Sequence, residues 1–251
     1  MTPNPITKVL STFRTHGVQA LLMGGQACVL YGAAEFSRDL DLALLASPEN
    51  LARLASALAE LQAARIAVPP FEPEYLERGH AVHFRCKHPD AEGMRVDVMS
   101  RMRGVAPFPE LWERRTILMV EDAEEIAVLS LPDLVCAKKT QRDKDWPMIR
   151  RLIEANYEAF YAEPTAERVR FWLREMRTPE LLAEVAERFS HEARLLSDGR
   201  KAIRFALSGD DRGVQRALDE EMERERDADR EYWRPLRQEL EQLRRQRDRG
   251  R

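Results

Sequence analysis

Residues 24–44, with the sequence GGQACVLYGAAEFSRDLDLAL, decide the fold. The apolar run VQALLM just before them predicts a buried strand, and the glycine pair Gly24-Gly25 predicts a turn at its end. Ala27–Tyr31 is typical of a short helix, closed by Gly32. The alternating segment RDLDLAL predicts a second strand. This succession of strand, glycine turn, short helix and strand indicates a mixed α and β fold.

Two aspartates in that second strand are candidates for chemistry. Asp39 and Asp41 are two positions apart, so their side chains leave the same face of the strand, while Leu40 and Leu42 enter the core. Neighbouring carboxylates repel each other unless a cation lies between them. Mg²⁺ suits this arrangement, because it takes one or two carboxylates and completes its shell with water and substrate phosphate. The glycine pair adds backbone N–H groups that can approach a phosphate closely.

The rest of the chain predicts further strands and then helices. Pro48 starts an amphipathic helix, and the segments AVHFRCKH and MRVDVMS predict two strands. From Leu131 the pattern is helical almost to the end, with breaks at Pro179, Gly199, Gly209 and Gly213. We therefore expect an α/β (α+β) fold: a short mixed β-sheet with flanking helices, followed by a helical C-terminal region. The expected division is a catalytic domain over 1–125, a helical extension over 126–165 and a helical region with a charged tail over 166–251.

Composition limits the class of protein. The chain has 251 residues, 44% of them hydrophobic and 33% charged, with a formal net charge of -3. That charge argues against a protein coated in nucleic acid but allows a local basic groove. No run of residues approaches the roughly 18 apolar positions of a membrane span, and the 3 cysteines form no short metal-binding pair. We expect a cytoplasmic protein without membrane partners.

The glycine pair and the two aspartates resemble the signature of the nucleotidyltransferase superfamily of the DNA polymerase beta type. The closer likeness is to small prokaryotic nucleotidyltransferases, including abortive-infection-type toxins, and it covers roughly residues 18–153. The resemblance implies that Asp97, in MRVDVMS, is the third carboxylate of the site. It implies that Asp39, Asp41 and Asp97 hold two Mg²⁺ ions, or Mn²⁺ in their place, together with the triphosphate. Asp97 would act as a metal ligand or as the general base.

Other residues are implied as nucleotide contacts by the same resemblance. They are Gly24, Gly25, Arg38, Lys138, Lys139 and Arg142. The last three lie in KKTQRDKDW, a basic segment of a net acidic chain, where a solvated basic helix face is the plainer interpretation. In relatives the second glycine is often a serine whose hydroxyl contacts phosphate, so Gly25 lacks that contact.

The implied activity is transfer of a nucleoside monophosphate from an NTP, such as ATP, to a hydroxyl acceptor. The acceptor is an RNA end (tRNA-like) or a small hydroxyl-bearing molecule, and an antitoxin protein is an expected partner if the chain is toxin-like. The alternative is a catalytically silent nucleotide-binding module that acts as a partner or regulator. His80, His83 and His88 with Cys86 suggest zinc, but their spacing fits no tetrahedral set.

Overall fold

The computed structural model describes residues 4–34, 36–120 and 124–249. Within those residues the fold is α+β, with seven strands in one mixed sheet and twelve α-helices. The expected fold class is confirmed at this level, as is the helical character of the C-terminal part. No helix in the described residues combines the length and the apolar character that a membrane crossing requires.

Seven strands form the sheet of the described residues. They are Ala20–Met23 (β1), Asp39–Leu44 (β2), Ala64–Arg65 (β3), Val82–Arg85 (β4), Arg95–Met99 (β5), Thr116–Val120 (β6) and Glu124–Val128 (β7). Their order across the sheet is β3-β4-β5-β2-β1-β7-β6. β2 pairs in parallel with β5 and antiparallel with β1. The two strands that carry the candidate aspartates are therefore direct neighbours in the sheet.

The helices connect the strands and then form the C-terminal part. They are Pro5–Thr15 (α1), Gly24–Leu30 (α2), Pro48–Glu60 (α3), Pro73–Arg78 (α4), Phe108–Glu113 (α5), Leu131–Lys138 (α6), Asp145–Phe160 (α7), Ala166–Glu175 (α8), Pro179–Arg188 (α9), Ser190–Leu196 (α10), Lys201–Ser208 (α11) and Asp211–Arg249 (α12). The charged tail is thus helical as far as Arg249. Gly250 and Arg251 lie outside the described residues.

Two local predictions were wrong. The short helix begins at Gly24 rather than at Ala27, so the glycine pair belongs to its first turn. Gly213 does not break the chain but lies in the first turn of α12, where its N–H donates a 2.9 Å hydrogen bond to the Asp210 carboxylate. A glycine at that place allows close packing, because a Cβ there would lie 2.7 Å from Cγ of Phe205.

The chain forms two compact units. The first comprises the described residues up to Leu30, those from Ala34 to Ala137 and those from Tyr232 onward, and it contains the sheet. The second comprises Tyr31–Ala33 and Lys138–Glu231, and it is helical. The three-part division expected from the sequence stays a prediction.

Candidate functional site

A row of polar side chains crosses three neighbouring strands of the first unit. In the sheet register Asp41 pairs with Asp97, Asp97 pairs with His83, and Asp39 pairs with Arg95. Directly paired residues of neighbouring strands project from the same face of a sheet. The five residues Asp39, Asp41, Arg95, Asp97 and His83 therefore share one face, and we call them the polar row.

The opposite face of the same strands fixes this arrangement. Leu40, Leu42, Val82, Val96 and Val98 alternate with the polar row, and each is at most 1% exposed. A shift of one residue in register would expose these apolar side chains and bury the carboxylates. Core packing therefore holds the three aspartates on one side of the sheet.

Asp97 is held by two basic side chains. Its Oδ1 accepts a 2.9 Å hydrogen bond from Nε of Arg95 and lies 2.8 Å from Nδ1 of His83. Burial of the Asp97 carboxyl raises its pKa, but the hydrogen bonds from His83 and Arg95 outweigh burial and leave the pKa below its usual value. Asp97 is therefore a carboxylate at neutral pH.

Arg95 is the cation of the polar row. The hydrogen bond to Asp97 raises the pKa of its guanidinium, and the charges of Asp39 and Asp41 add to the effect although burial opposes it. One fixed positive charge thus faces three carboxylates, and the row keeps an excess of negative charge. Such an excess attracts a further cation.

Gly24 brings the turn between β1 and α2 against Asp41. Its φ is +68°, in the left-handed region that glycine adopts without steric cost. A Cβ at this position would lie only 2.6 Å from Cβ of Asp41, and closer still to its carboxylate. Only a glycine lets this turn and the carboxylate occupy the same corner of the sheet.

Gly25 makes room for Ser37. A Cβ on residue 25 would lie 2.9 Å from Cβ of Ser37, with the Ser37 hydroxyl nearer still. Nε2 of Gln26 donates a 2.7 Å hydrogen bond to the Ser37 carbonyl and so ties this segment to α2. A serine at position 25 has no space here, because the Ser37 hydroxyl occupies that volume. Arg38, the next residue, is exposed beside the start of β2.

The basic residues of KKTQRDKDW belong to the second unit, where carboxylates bind them. Asp145 is 3% exposed and accepts hydrogen bonds from Thr140, at 2.5 Å, and from Nε of Arg142, at 2.8 Å, while Nζ of Lys138 lies 3.4 Å away. Burial raises the pKa of Asp145, but these partners outweigh it and lower the pKa. Lys139 lies 2.8 Å from Glu175. The structure therefore shows structural ion pairs here, and the expected triphosphate contacts stay predictions.

The donor atoms of the polar row suit a hard divalent cation. Across residues 4–34, 36–120 and 124–249, no three His, Cys, Asp or Glu side chains are grouped closely enough to hold a metal ion by themselves. Asp39 and Asp41 nonetheless offer the hard oxygen donors that Mg²⁺ takes from proteins, in the number it usually takes. The residues therefore fit an ion held by two carboxylates that draws its other ligands from water and substrate.

Two members of the polar row were not identified from the sequence as site residues. Arg95 was not singled out at all, and His83 was considered only for zinc. The signal for Arg95 was available, because it lies two positions before Asp97 and so shares its face. His83 could not be found in this way, since its contact depends on the pairing of β4 with β5.

No protein-family model matches this sequence, and no curated protein matches it. The polar row and its glycine turn are therefore the features that bear on function.

Proposed function

We propose that the chain is a Mg²⁺-dependent nucleotidyltransferase of the DNA polymerase beta type. It moves a nucleoside monophosphate from an NTP to a hydroxyl acceptor and releases pyrophosphate. One observation carries the proposal: three aspartates project from one face of two neighbouring strands, and a glycine turn lies directly against one of them. Alignment of the three aspartates does not stabilise the sheet, because like charges on directly paired residues are destabilising.

Asp39 and Asp41 would hold the metal ion. The chemistry that such an ion supplies when bound is charge neutralisation on the triphosphate and a lower pKa for the acceptor hydroxyl. The rest of the site is the chain's own contribution. The left-handed turn at Gly24 has no side chain, so a phosphate can approach the backbone beside Asp41.

Asp97 and Arg95 have separate roles in this proposal. Because the pKa of Asp97 is lowered, its carboxylate accepts a proton weakly at neutral pH and serves better as a ligand or orienting group than as a general base. Arg95 fixes the Asp97 carboxylate through its Nε and places a positive charge beside the expected path of the triphosphate.

The reaction is a single displacement at phosphorus. The acceptor oxygen forms a bond to the α-phosphorus, the bond from that phosphorus to the bridging oxygen breaks, and pyrophosphate leaves with the electron pair. The hydroxyl proton passes to water. We propose an RNA end or a small hydroxyl-bearing molecule as the acceptor, and an antitoxin protein as a partner if the enzyme is toxin-like. Lys138, Lys139 and Arg142 would contact the triphosphate only after exchanging their present carboxylate partners.

A catalytically silent nucleotide-binding module is the second candidate. It is favoured by the engagement of Asp97, since His83 and Arg95 already bind the oxygen that would otherwise face a metal ion. In this case Arg95 would bind the triphosphate without turnover.

Label transfer separates these candidates. Purified protein is incubated with each α-labelled NTP, Mg²⁺ and total cellular RNA, beside Asp39→Asn and the control Asp90→Asn, whose side chain is 47% exposed and lies outside the polar row. Label in RNA that disappears only in Asp39→Asn supports the enzyme and identifies RNA as the acceptor class. NTP binding that depends on Asp39, without transfer to RNA or to a panel of small hydroxyl compounds, supports the silent module. Neither binding nor transfer would reject both candidates.

A further inference from the structure

A pocket lies within the helical unit, and none of its lining residues belongs to the polar row. Its volume is about 360 Å³, within the range of small-molecule sites. One face of α7 contributes Trp146 and Arg150, the segment between α8 and α9 contributes Arg177, and one face of α12 contributes Leu218, Met222 and Arg226. The segment KKTQRDKDW contributes Asp143 and Trp146 to the lining, and its basic residues are not part of it.

The wall carries three guanidinium groups, and two of them are partly unsatisfied. Arg150, Arg177 and Arg226 line the pocket together with Asp143 and Asp219. Each guanidinium is paired with a carboxylate of the chain: Arg150 with Glu154, Arg177 with Glu221, and Arg226 with Glu223. The Arg177 side chain is 10% exposed and that of Arg226 18%. In both, Nε is enclosed and has no hydrogen-bond partner in the described part of the chain. A buried N–H without an acceptor is unfavourable, so each side chain has a donor for an acceptor that the chain itself does not supply.

The arginines are held in place on either flank. Arg177 donates to Glu221 at 2.9 Å, and Arg226 lies 2.9 Å from Asp143. Both guanidinium groups lie over the Trp146 ring, at 5.6 and 5.9 Å from its centroid. The indole is itself fixed, because its N–H donates a 2.9 Å hydrogen bond to the Thr140 carbonyl. These contacts restrict both side chains, which lowers the ordering cost of binding an anion.

The pocket lining also contains apolar side chains. Leu218 is 4% exposed, and Met222 lies one helical turn further along α12. Arg150, 54% exposed, stands at the open edge. A lining that combines guanidinium groups with apolar side chains matches a ligand that carries a phosphate and a flat, weakly polar group.

We propose that this pocket binds a small phosphate-bearing molecule of the size of a nucleoside monophosphate. Its phosphate oxygens accept hydrogen bonds from Arg177 and Arg226 after a small rotation of each guanidinium, and Arg150 closes over the anion. Arg226 gives up its pairs with Asp143 and Glu223, whose side chains are 94% and 55% exposed, at little cost, because exposed ion pairs are weak. The site needs no metal ion and does not depend on the polar row.

Calorimetry on the full chain in EDTA tests the proposal, with AMP, adenosine and inorganic phosphate as probes. AMP binds, adenosine does not, and phosphate competes with AMP but binds more weakly. Arg226→Gln weakens AMP binding by about tenfold or more. Arg150→Gln, at an exposed position that leaves the fold intact, weakens it by a smaller factor. The matched control Arg216→Gln, also on α12 and 69% exposed but outside the pocket, binds as the wild type does.

Several outcomes would overturn the proposal. The proposal is wrong if AMP and adenosine bind equally well, or if AMP does not bind. It is also wrong if Arg226→Gln and Arg150→Gln bind AMP as tightly as the control does. An RNA oligonucleotide with a 5′-phosphate that binds tenfold more tightly than AMP, and loses that gain in Arg226→Gln, would replace the small molecule with nucleic acid. Asp39→Asn binds AMP normally in EDTA, so a failure here is distinguishable from a failure of the proposed transferase.

Discussion

Gly24→Ala is the sharpest structural test of the glycine turn. Two costs act on this substitution. An alanine held at a φ of +68° carries about 1–2 kcal/mol of backbone strain. Its Cβ would also collide with the Asp41 side chain, and crowding of this kind typically costs about 1–3 kcal/mol. We expect a total loss of about 2–5 kcal/mol in the free energy of unfolding.

Gly93 provides a control that separates the two costs. Its φ is +76°, nearly the same as that of Gly24, but nothing lies within 4 Å of a Cβ placed there. Gly93→Ala should therefore lose only the backbone term, about 1–2 kcal/mol. The difference between the two variants measures the close approach of the turn to Asp41.

Urea denaturation followed by circular dichroism provides the measurement. The double variant Gly24→Ala/Asp41→Gly removes the colliding side chain and should recover about 1–3 kcal/mol relative to the two single changes taken together. The reasoning is refuted if Gly24→Ala is no more destabilising than Gly93→Ala, or if the Asp41 change brings no recovery.

Two further predictions concern groups outside the polar row. The pKa of the Glu60 carboxyl is lowered to about 2, and a hydrogen bond from His16 is the largest cause. The stability that the ionised Glu60 contributes is therefore present above pH 4.5 and is lost as the pH falls towards 2. The Glu60 carboxyl should titrate near pH 2 by NMR, and Glu60→Gln should lack this acid dependence; a midpoint near 4.5 would contradict the ion pair. Asp145→Ala should lower the free energy of unfolding by about 3 kcal/mol, because it leaves the largely buried Lys138 ammonium without its carboxylate. The exposed control Asp198→Ala should change little, and an equal effect of the two would show that Asp145 is not a buried anchor.

The sequence located the elements that carry the site. Alternation of period two identified β2 and β5, because apolar residues such as Leu40 and Val96 must face the core while the aspartates between them must not. It also placed Asp39 and Asp41 on one face. These predictions depend only on local spacing, which a single sequence contains.

Contacts between distant segments could not be predicted from the sequence. The parallel pairing of β2 with β5 brings Asp41 opposite Asp97, and no local pattern specifies which strands become neighbours. The engagement of Asp97 by His83 depends on a further pairing of this kind. Lys138 pairs with Asp145, since a buried carboxylate requires a cation, and its expected contact with the triphosphate stays a prediction.

The proposed function requires that a metal–nucleotide complex bind at the polar row. Paramagnetic broadening by Mn²⁺ tests it directly, with the amide spectrum of the 29.0 kDa chain recorded in the presence of a non-hydrolysable NTP analogue. We expect broadening centred on Gly24, Asp41 and Asp97, which is absent in Asp39→Asn and unchanged in Asp90→Asn. Broadening centred elsewhere, or broadening that persists in Asp39→Asn, would contradict the assignment of the polar row as the metal and nucleotide site.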